Sequence, residues 1–174
     1  GLADLNGDAK LDLVVTNGTS ENFSVRLGNG AGGFGGLGTT PVGGKLTSLA
    51  LRDLDADGRI DLLLAVESAS AVGFLKGMGN GAFDRVQLYP AGSETHFVTS
   101  ADLNGDGRFE AIAAPLTSSQ LTILHGVDPL PFGNASVLPT AIGPTYLAFP
   151  DLNGDGKPDL AVADYDDKLV ELRL

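Results

Sequence analysis

Four nine-residue stretches of this chain carry acidic and amide side chains at a spacing suited to gripping a hard cation. They are Asp4-Leu-Asn-Gly-Asp-Ala-Lys-Leu-Asp12, Asp53-Leu-Asp-Ala-Asp-Gly-Arg-Ile-Asp61, Asp102-Leu-Asn-Gly-Asp-Gly-Arg-Phe-Glu110 and Asp151-Leu-Asn-Gly-Asp-Gly-Lys-Pro-Asp159. Side-chain oxygens at positions 1, 3 and 5 come from Asp4, Asn6 and Asp8; Asp53, Asp55 and Asp57; Asp102, Asn104 and Asp106; and Asp151, Asn153 and Asp155. A carboxylate at position 9, namely Asp12, Asp61, Glu110 or Asp159, can close each cage. Oxygen ligands at this density suit Ca²⁺, which tolerates flexible, high coordination, better than Mg²⁺, which demands a tight octahedron. The chain has no cysteine and only His96 and His125, so zinc lacks its usual ligands.

Position 7 is basic in every copy, as Lys10, Arg59, Arg108 and Lys157. A cation cannot contact an ammonium or guanidinium, so these residues are expected to offer their backbone carbonyls while the charged heads point to solvent. Position 6 is Gly58, Gly107 and Gly156, suited to a sharp turn with positive φ, but Ala9 in the first copy, where strain or poor metal binding is expected. An EF-hand would need a carboxylate at position 12 and flanking helices; position 12 is Val15, Leu64, Ala113 and Val162, each inside a strand-like run. Asp, Asn and Gly also favour turns that bind nothing, and this reading stays open beside the metal one.

The four motifs begin at residues 4, 53, 102 and 151, a constant step of 49. The same register aligns Gly28, Gly77 and Gly126, then Phe34, Phe83 and Phe132, then Pro41, Pro90 and Pro139, so the whole unit repeats. Within a unit, strand-like runs recur: Leu46 to Leu51 before a loop, Leu62 to Val66 after it, then Val72 to Leu75 and, beyond the Gly-rich turn, Val86 to Tyr89. Four short strands per unit predict an all-β chain of β-propeller blades, about 3.5 to 4 of them, each of four antiparallel strands and together an arc of a larger or oligomer-closed propeller. One repeat domain over residues 1–174 divides into units near 1–45, 46–94, 95–143 and 144–174. About fourteen strands are expected, with none before Asp4. A parallel β-helix is the rival, but its coils are normally much shorter. Open sheet edges invite pairing, so either another copy closes the ring as a homo-oligomer or this is part of a longer chain.

The net charge is −11, and thirteen of the 22 carboxylates lie in the four loops. That balance disfavours nucleic acid, whose phosphates call for Lys and Arg. No apolar run approaches the ~20 residues that span a bilayer, and the N-terminus shows no signal segment, as expected of a cut inside a repeat.

With its Asp-Leu-Asn-Gly-Asp-Gly core, the Asp-Leu-Ala-Val-Ala run at 159 to 163 and the Gly-Asn-Gly-Ala-Gly-Gly-Phe turn at 28 to 34, the chain resembles the FG-GAP or VCBS repeat family, the propeller repeats of integrin α-subunits and many bacterial secreted proteins. The resemblance implies a seven- or eight-bladed ring whose loops, between the first two strands of each blade, bind Ca²⁺ through positions 1, 3, 5, 7 and 9, up to four ions here. It also implies an extracellular or cell-surface location. Departures are Ala9, Glu110, and the turn Gly126-Val-Asp-Pro-Leu-Pro-Phe132, which has lost Gly-Asn-Gly.

The leading expectation is an extracellular scaffold or adhesion and recognition module that is not an enzyme, its protein or glycan ligand unnamed. The alternatives are a carbohydrate-binding propeller, although there is no Trp and only Tyr89, Tyr146 and Tyr165, or a non-catalytic accessory domain of a larger secreted enzyme. Neither histidine recurs at a repeat position or sits in a nucleophile motif. Phe34, Phe83 and Phe132 are expected between blades as core. The turns Asn17 to Asn22, Ser68 to Ala71, Thr117 to Gln120 and Asp164 to Lys168 do not repeat, so they could carry specificity or be plain solvated tips.

Overall fold

Runs of five to eight residues rich in Val, Leu, Ala and Ile, cut by Asp, Asn, Gly and Pro turns, leave the backbone few choices besides short strands. The protein is described here by a computed structural model over residues 1–128, 131–141 and 143–174. The first blade contains β1 (Leu2–Ala3), β2 (Asp12–Asn17), β3 (Asn22–Gly28) and β4 (Phe34–Pro41). The second contains β5 (Leu46–Arg52), β6 (Asp61–Val66), β7 (Ala71–Leu75) and β8 (Gln87–Pro90), and the third β9 (Thr95–Ala101), β10 (Glu110–Pro115), β11 (Gln120–Gly126) and β12 (Phe132–Pro139). The fourth sheet has β13 (Pro144–Ala148), β14 (Leu160–Asp164) and β15 (Leu169–Arg173). Strand order within each sheet follows the chain, and every pair is antiparallel, as in propeller blades.

Fifteen strands are thus found among the described residues rather than fourteen. The addition is β1, where Leu2 pairs with Leu13 and Ala3 with Asp12 immediately before the first acidic loop. The divergent turn expected over Gly126 to Phe132 includes Pro129 and Leu130, which lie outside the described residues, as does Ile142.

Alternation along the second strand of each blade makes the packing. Every residue of β6 from Asp61 to Val66 is buried, because both faces of the sheet are covered. Leu62, Leu64 and Val66 meet Val14, Phe23 and Val25 of the first blade. Leu63 and Ala65, on the opposite face, meet Ala111 and Ala113 of the third. The third blade then presents Ile112 and Ala114 to Leu160 and Val162 of the fourth. Each fully buried Leu, Val or Phe contributes about 1.5–3 kcal/mol of transfer free energy, so the inter-blade layers are the core of this fold.

The aligned phenylalanines are not equivalent. Phe132 is buried and stacks edge-on against Phe74 and Tyr89, and Phe83 stacks edge-on against Phe23 of the preceding blade. Phe34 was expected in the core but is 48% exposed, because no described blade lies against that side of the first sheet. The turn Asp164 to Lys168 also differs from expectation at its first residue: Tyr165 is 75% exposed, whereas Asp164 is buried. Both Asp164 carboxylate oxygens lack a hydrogen-bond partner, and burial, with Glu171 and Asp167 nearby, pushes the carboxyl above its ordinary value.

Candidate metal centre

Each acidic loop joins the first and second strands of its blade, so the antiparallel register brings its two ends together. Inside the loop, the position-1 carboxylate organises the backbone. Asp4 Oδ1 accepts hydrogen bonds from the N–H groups of Asn6 (3.2 Å), Gly7 (2.8 Å) and Asp8 (3.2 Å), and Oδ2 accepts from Ala9 (2.8 Å). The pattern recurs: the position-6 N–H donates to the position-1 carboxylate at 2.9 Å from Gly58 to Asp53, from Gly107 to Asp102 and from Gly156 to Asp151. Position 5 accepts from the position-7 N–H in all four copies, as Lys10 to Asp8 (3.0 Å) and, at 2.9 Å, Arg59 to Asp57, Arg108 to Asp106 and Lys157 to Asp155. Asn6, Asn104 and Asn153 at position 3 accept from the position-5 N–H at 3.1, 2.8 and 2.8 Å.

This geometry requires left-handed backbone at position 6. Gly58, Gly107 and Gly156 sit at φ +82°, +84° and +81°, and Ala9 is held at +61°, the strain expected of a residue with a Cβ. Position 4 is left-handed as well, at Gly7, Gly105 and Gly154, and Ala56 adopts φ +58° there. Loops 1 and 2 therefore each carry one alanine in a glycine conformation.

The position-9 carboxylate anchors the loop to its sheet. Asp12, Asp61, Glu110 and Asp159 are all buried. Each accepts the position-2 N–H: Leu5 to Asp12 at 2.9 Å, Leu54 to Asp61 at 2.9 Å, Leu103 to Glu110 at 2.8 Å and Leu152 to Asp159 at 2.7 Å. The second oxygen of Asp12 accepts from Gly28 N–H and that of Asp61 from Gly77 N–H, both at 2.8 Å. Those glycines are required by close approach. A Cβ on Gly28 would lie 2.1 Å from the Leu11 carbonyl oxygen, and one on Gly77 2.1 Å from that of Ile60. Glu110 is one methylene longer, and its second oxygen, Oε1, is buried with no hydrogen-bond partner.

Loop 2 brings its acids closest. Asp53, Asp55 and Asp61 each present an oxygen, the three lying within 4.8 Å of one another, and no other group of three titratable ligands meets so closely among the described residues. Asn6, Asn104 and Asn153 stand where Asp55 does, so the other loops offer an amide oxygen at that point. Burial, opposed by the Gly77 and Leu54 N–H groups and reinforced by Asp55 and Asp57, pushes the Asp61 carboxyl up to about 6. Asp4 is raised by desolvation, but the backbone N–H groups of Ala9, Gly7, Asn6 and Asp8 outweigh that and hold it below its ordinary value.

The charged contacts of three basic residues, Lys10, Arg59 and Lys76, differ from the expectation or add to it. Heads at position 7 were expected to face solvent, yet Lys10 Nζ returns to Asp8 Oδ2 at 3.0 Å and the Arg59 guanidinium pairs with Asp57, because the nearest opposite charge lies two residues back. Lys76, from the end of β7's hairpin arm, reaches across to Asp55 and Asp57, and these two carboxylates push its ammonium up to about 12.

The donor set fits a hard divalent cation: carboxylate and amide oxygens with lone pairs beyond those used by the loop N–H groups, no sulfur, and in loop 3 a buried carboxylate oxygen that the protein itself leaves unpartnered. Beside loop 2, a cleft of about 530 Å³ opens toward the third blade, lined by Arg52, Asp53, Asp55, Phe109, Val127 and Asp128. The Arg52 guanidinium lies 4.3 Å above the Phe109 ring.

The profile of the FG-GAP-like repeat matches three times, over residues 4–64, 53–113 and 102–162, each match running from one acidic loop through the next and into the strand that follows it. The chain belongs to the FG-GAP-like repeat family. No curated protein sequence matches it. Among solved structures, the Agrocybe aegerita lectin, described for its specific recognition of non-reducing terminal N-acetylglucosamine, superposes with a TM-score of 0.62 at 21% identity, over 98% of this chain and 50% of that one. The Photorhabdus luminescens Tc holotoxin pore superposes with a TM-score of 0.59 at 22% identity, over 99% of this chain and 9% of that one. The FG-GAP-like repeat chain thus spans half of one such neighbour and a small part of the other, and the likeness is one of fold.

Proposed function

We propose that this FG-GAP-like repeat chain binds Ca²⁺ in its four acidic loops and serves as an extracellular, non-catalytic scaffold or recognition module. The observation that carries the reading is the convergence of Asp53, Asp55 and Asp61 oxygens within 4.8 Å, in a loop whose backbone bonding recurs in the other three copies. Residues at positions 1, 3, 5 and 9 would hold the ion by side-chain oxygens, and Lys10, Arg59, Arg108 and Lys157 by backbone carbonyls. A bound cation would neutralise clustered carboxylates and lock each loop between two strands. Millimolar Ca²⁺ outside cells suits loops of this kind, which supports the extracellular location. The test is a calorimetric titration of the chelator-stripped chain with CaCl₂ and then MgCl₂. Two to four Ca²⁺ per chain with a raised Tm and little response to Mg²⁺ supports the reading; no heat at millimolar Ca²⁺ refutes it.

A glycan ligand is the second reading, favoured by the cleft between loop 2 and the third blade and by the lectin among the structural neighbours. Binding of terminal N-acetylglucosamine, lost on Arg52→Ala and Phe109→Ala together, is the result it expects; a glycan screen without a hit removes it.

A further inference from the structure

Two of loop 2's departures from its three siblings change its charge. It carries four carboxylates, Asp53, Asp55, Asp57 and Asp61, where each sibling carries three, because Asp55 replaces the asparagine of position 3. It is also the copy with a lysine 23 residues after position 1: the 49-residue register puts Leu27, Lys76, His125 and Leu174 at this place in successive repeats. The two departures touch. Lys76 Nζ pairs with Asp55 Oδ2 and lies 2.9 Å from Asp57 Oδ2, so the extra acid and the extra base neutralise each other at the mouth of the loop.

The two carboxylates that Lys76 engages are those at positions 3 and 5, both within the ligand set read above. We infer that Lys76 is an intramolecular counter-cation that occupies part of loop 2 and sets that loop's affinity for a divalent cation below that of loops 3 and 4. The inference rests on the Ca²⁺ reading. An ammonium and a divalent ion cannot share Asp55 and Asp57, because each seeks the same oxygen lone pairs and the two positive charges repel. A cation entering loop 2 must therefore displace Lys76, whereas in loops 3 and 4 the equivalent positions hold an imidazole, His125, and an aliphatic side chain, Leu174. Even in water-like surroundings, a unit charge a few ångströms from a divalent ion changes affinity by about tenfold. The same contact lets loop 2 keep its shape without metal, since Lys76 shields the acid that the siblings lack.

The position-6 amides report each loop separately, because Ala9, Gly58, Gly107 and Gly156 all donate to the position-1 carboxylate. Titration of the full chain with CaCl₂, followed through the ¹⁵N–¹H resonances of these amides, should move Gly58 at a Ca²⁺ concentration about tenfold above that for Gly107 and Gly156. Lys76→Leu, which installs the residue of the first repeat, should bring Gly58 level with or ahead of its siblings while lowering the Tm of the chelated chain. Should Lys76→Leu not fold, Asp55→Asn with Lys76→Leu rebuilds the pairing of the first repeat and should give the same levelling. Gly58 moving together with Gly107 and Gly156 in the wild type, and unchanged by either variant, overturns the inference and leaves Ca²⁺ binding standing. If no loop amide moves at millimolar Ca²⁺, the metal reading itself falls, and the inference with it.

Discussion

Replacing Gly77 by alanine tests how the acidic loops are tied to their sheets. The new Cβ would lie 2.1 Å from the Ile60 carbonyl oxygen, a backbone atom that no rotamer change can move aside. Real Cβ contacts essentially never fall below 3.0 Å, so the chain at Gly77 must withdraw by the order of an ångström. Overpacking of this kind costs about 1–3 kcal/mol. The withdrawal also breaks the 2.8 Å hydrogen bond from Gly77 N–H to Asp61 Oδ1, leaving a buried carboxylate with one fewer donor, a further ~1–3 kcal/mol. Together about 2–6 kcal/mol is expected, a large share of the ~5–15 kcal/mol that holds a typical domain together. Gly126→Ala should cost less, because its Cβ would stand 2.9 Å from the Phe109 carbonyl oxygen and no hydrogen bond from Gly126 to Glu110 is there to lose. Gly105→Ala is the control: φ is +74° but nothing lies within 4 Å, so only the left-handed penalty of ~1–2 kcal/mol applies. Urea unfolding of the three variants at one fixed CaCl₂ concentration gives the ranking. A Gly77→Ala cost no greater than that of Gly105→Ala would refute the reasoning.

The pH dependence of the chelated chain should carry the signature of Asp61. Its folded pKa of about 6 lies above the ordinary 3.8, so the folded state binds the proton more tightly; this group's contribution is most favourable below 3.8, falls as pH rises to about 6 and is flat above. Between pH 4 and 7 the change amounts to about 2 kcal/mol, read as the change in urea stability between wild type and Asp61→Asn; a difference constant across that window contradicts it. Asp164→Val, which installs the residue found at Val66 in the second repeat, should raise stability at pH 7 by about 1–3 kcal/mol by removing two buried oxygens without partners, and a lower urea midpoint would count against that account. Phe132→Ala should cost about 3–5 kcal/mol, whereas Phe34→Ala at the exposed equivalent should cost under about 1, measured by thermal unfolding; equal costs would remove the distinction between covered and uncovered blade faces.

The loops and blades were legible because both follow from local pattern. A 49-residue period fixes Asp4, Asp53, Asp102 and Asp151 in one register, and short continuous apolar runs such as Leu62 to Val66, bounded by turn residues, read as strands, which the fold buries on both faces. What escaped the sequence depends on tertiary approach. Gly28 and Gly77 were visible as aligned glycines, but their purpose, to let a backbone N–H reach a buried carboxylate past a neighbouring carbonyl, needs the fold. The left-handed turn at Ala56 could have been read from Gly7, Gly105 and Gly154 at the same repeat position. Lys76 could have been flagged by the same comparison, since its register mates are Leu27, His125 and Leu174 and the extra acid Asp55 appears in the same copy. Asp164 could not: a polar residue entering a polar turn reads as solvated, and only the packing of the fourth sheet buries it.

The most direct test of the account counts ions loop by loop. Native mass spectrometry of the chain in millimolar Ca²⁺ should show up to four bound ions, and each of Asp4→Ala, Asp53→Ala, Asp102→Ala and Asp151→Ala should remove one from whatever total the wild type displays in its occupied loops. A chain that carries no Ca²⁺, or one whose ion count is indifferent to all four substitutions, would contradict the assignment of these loops as metal centres.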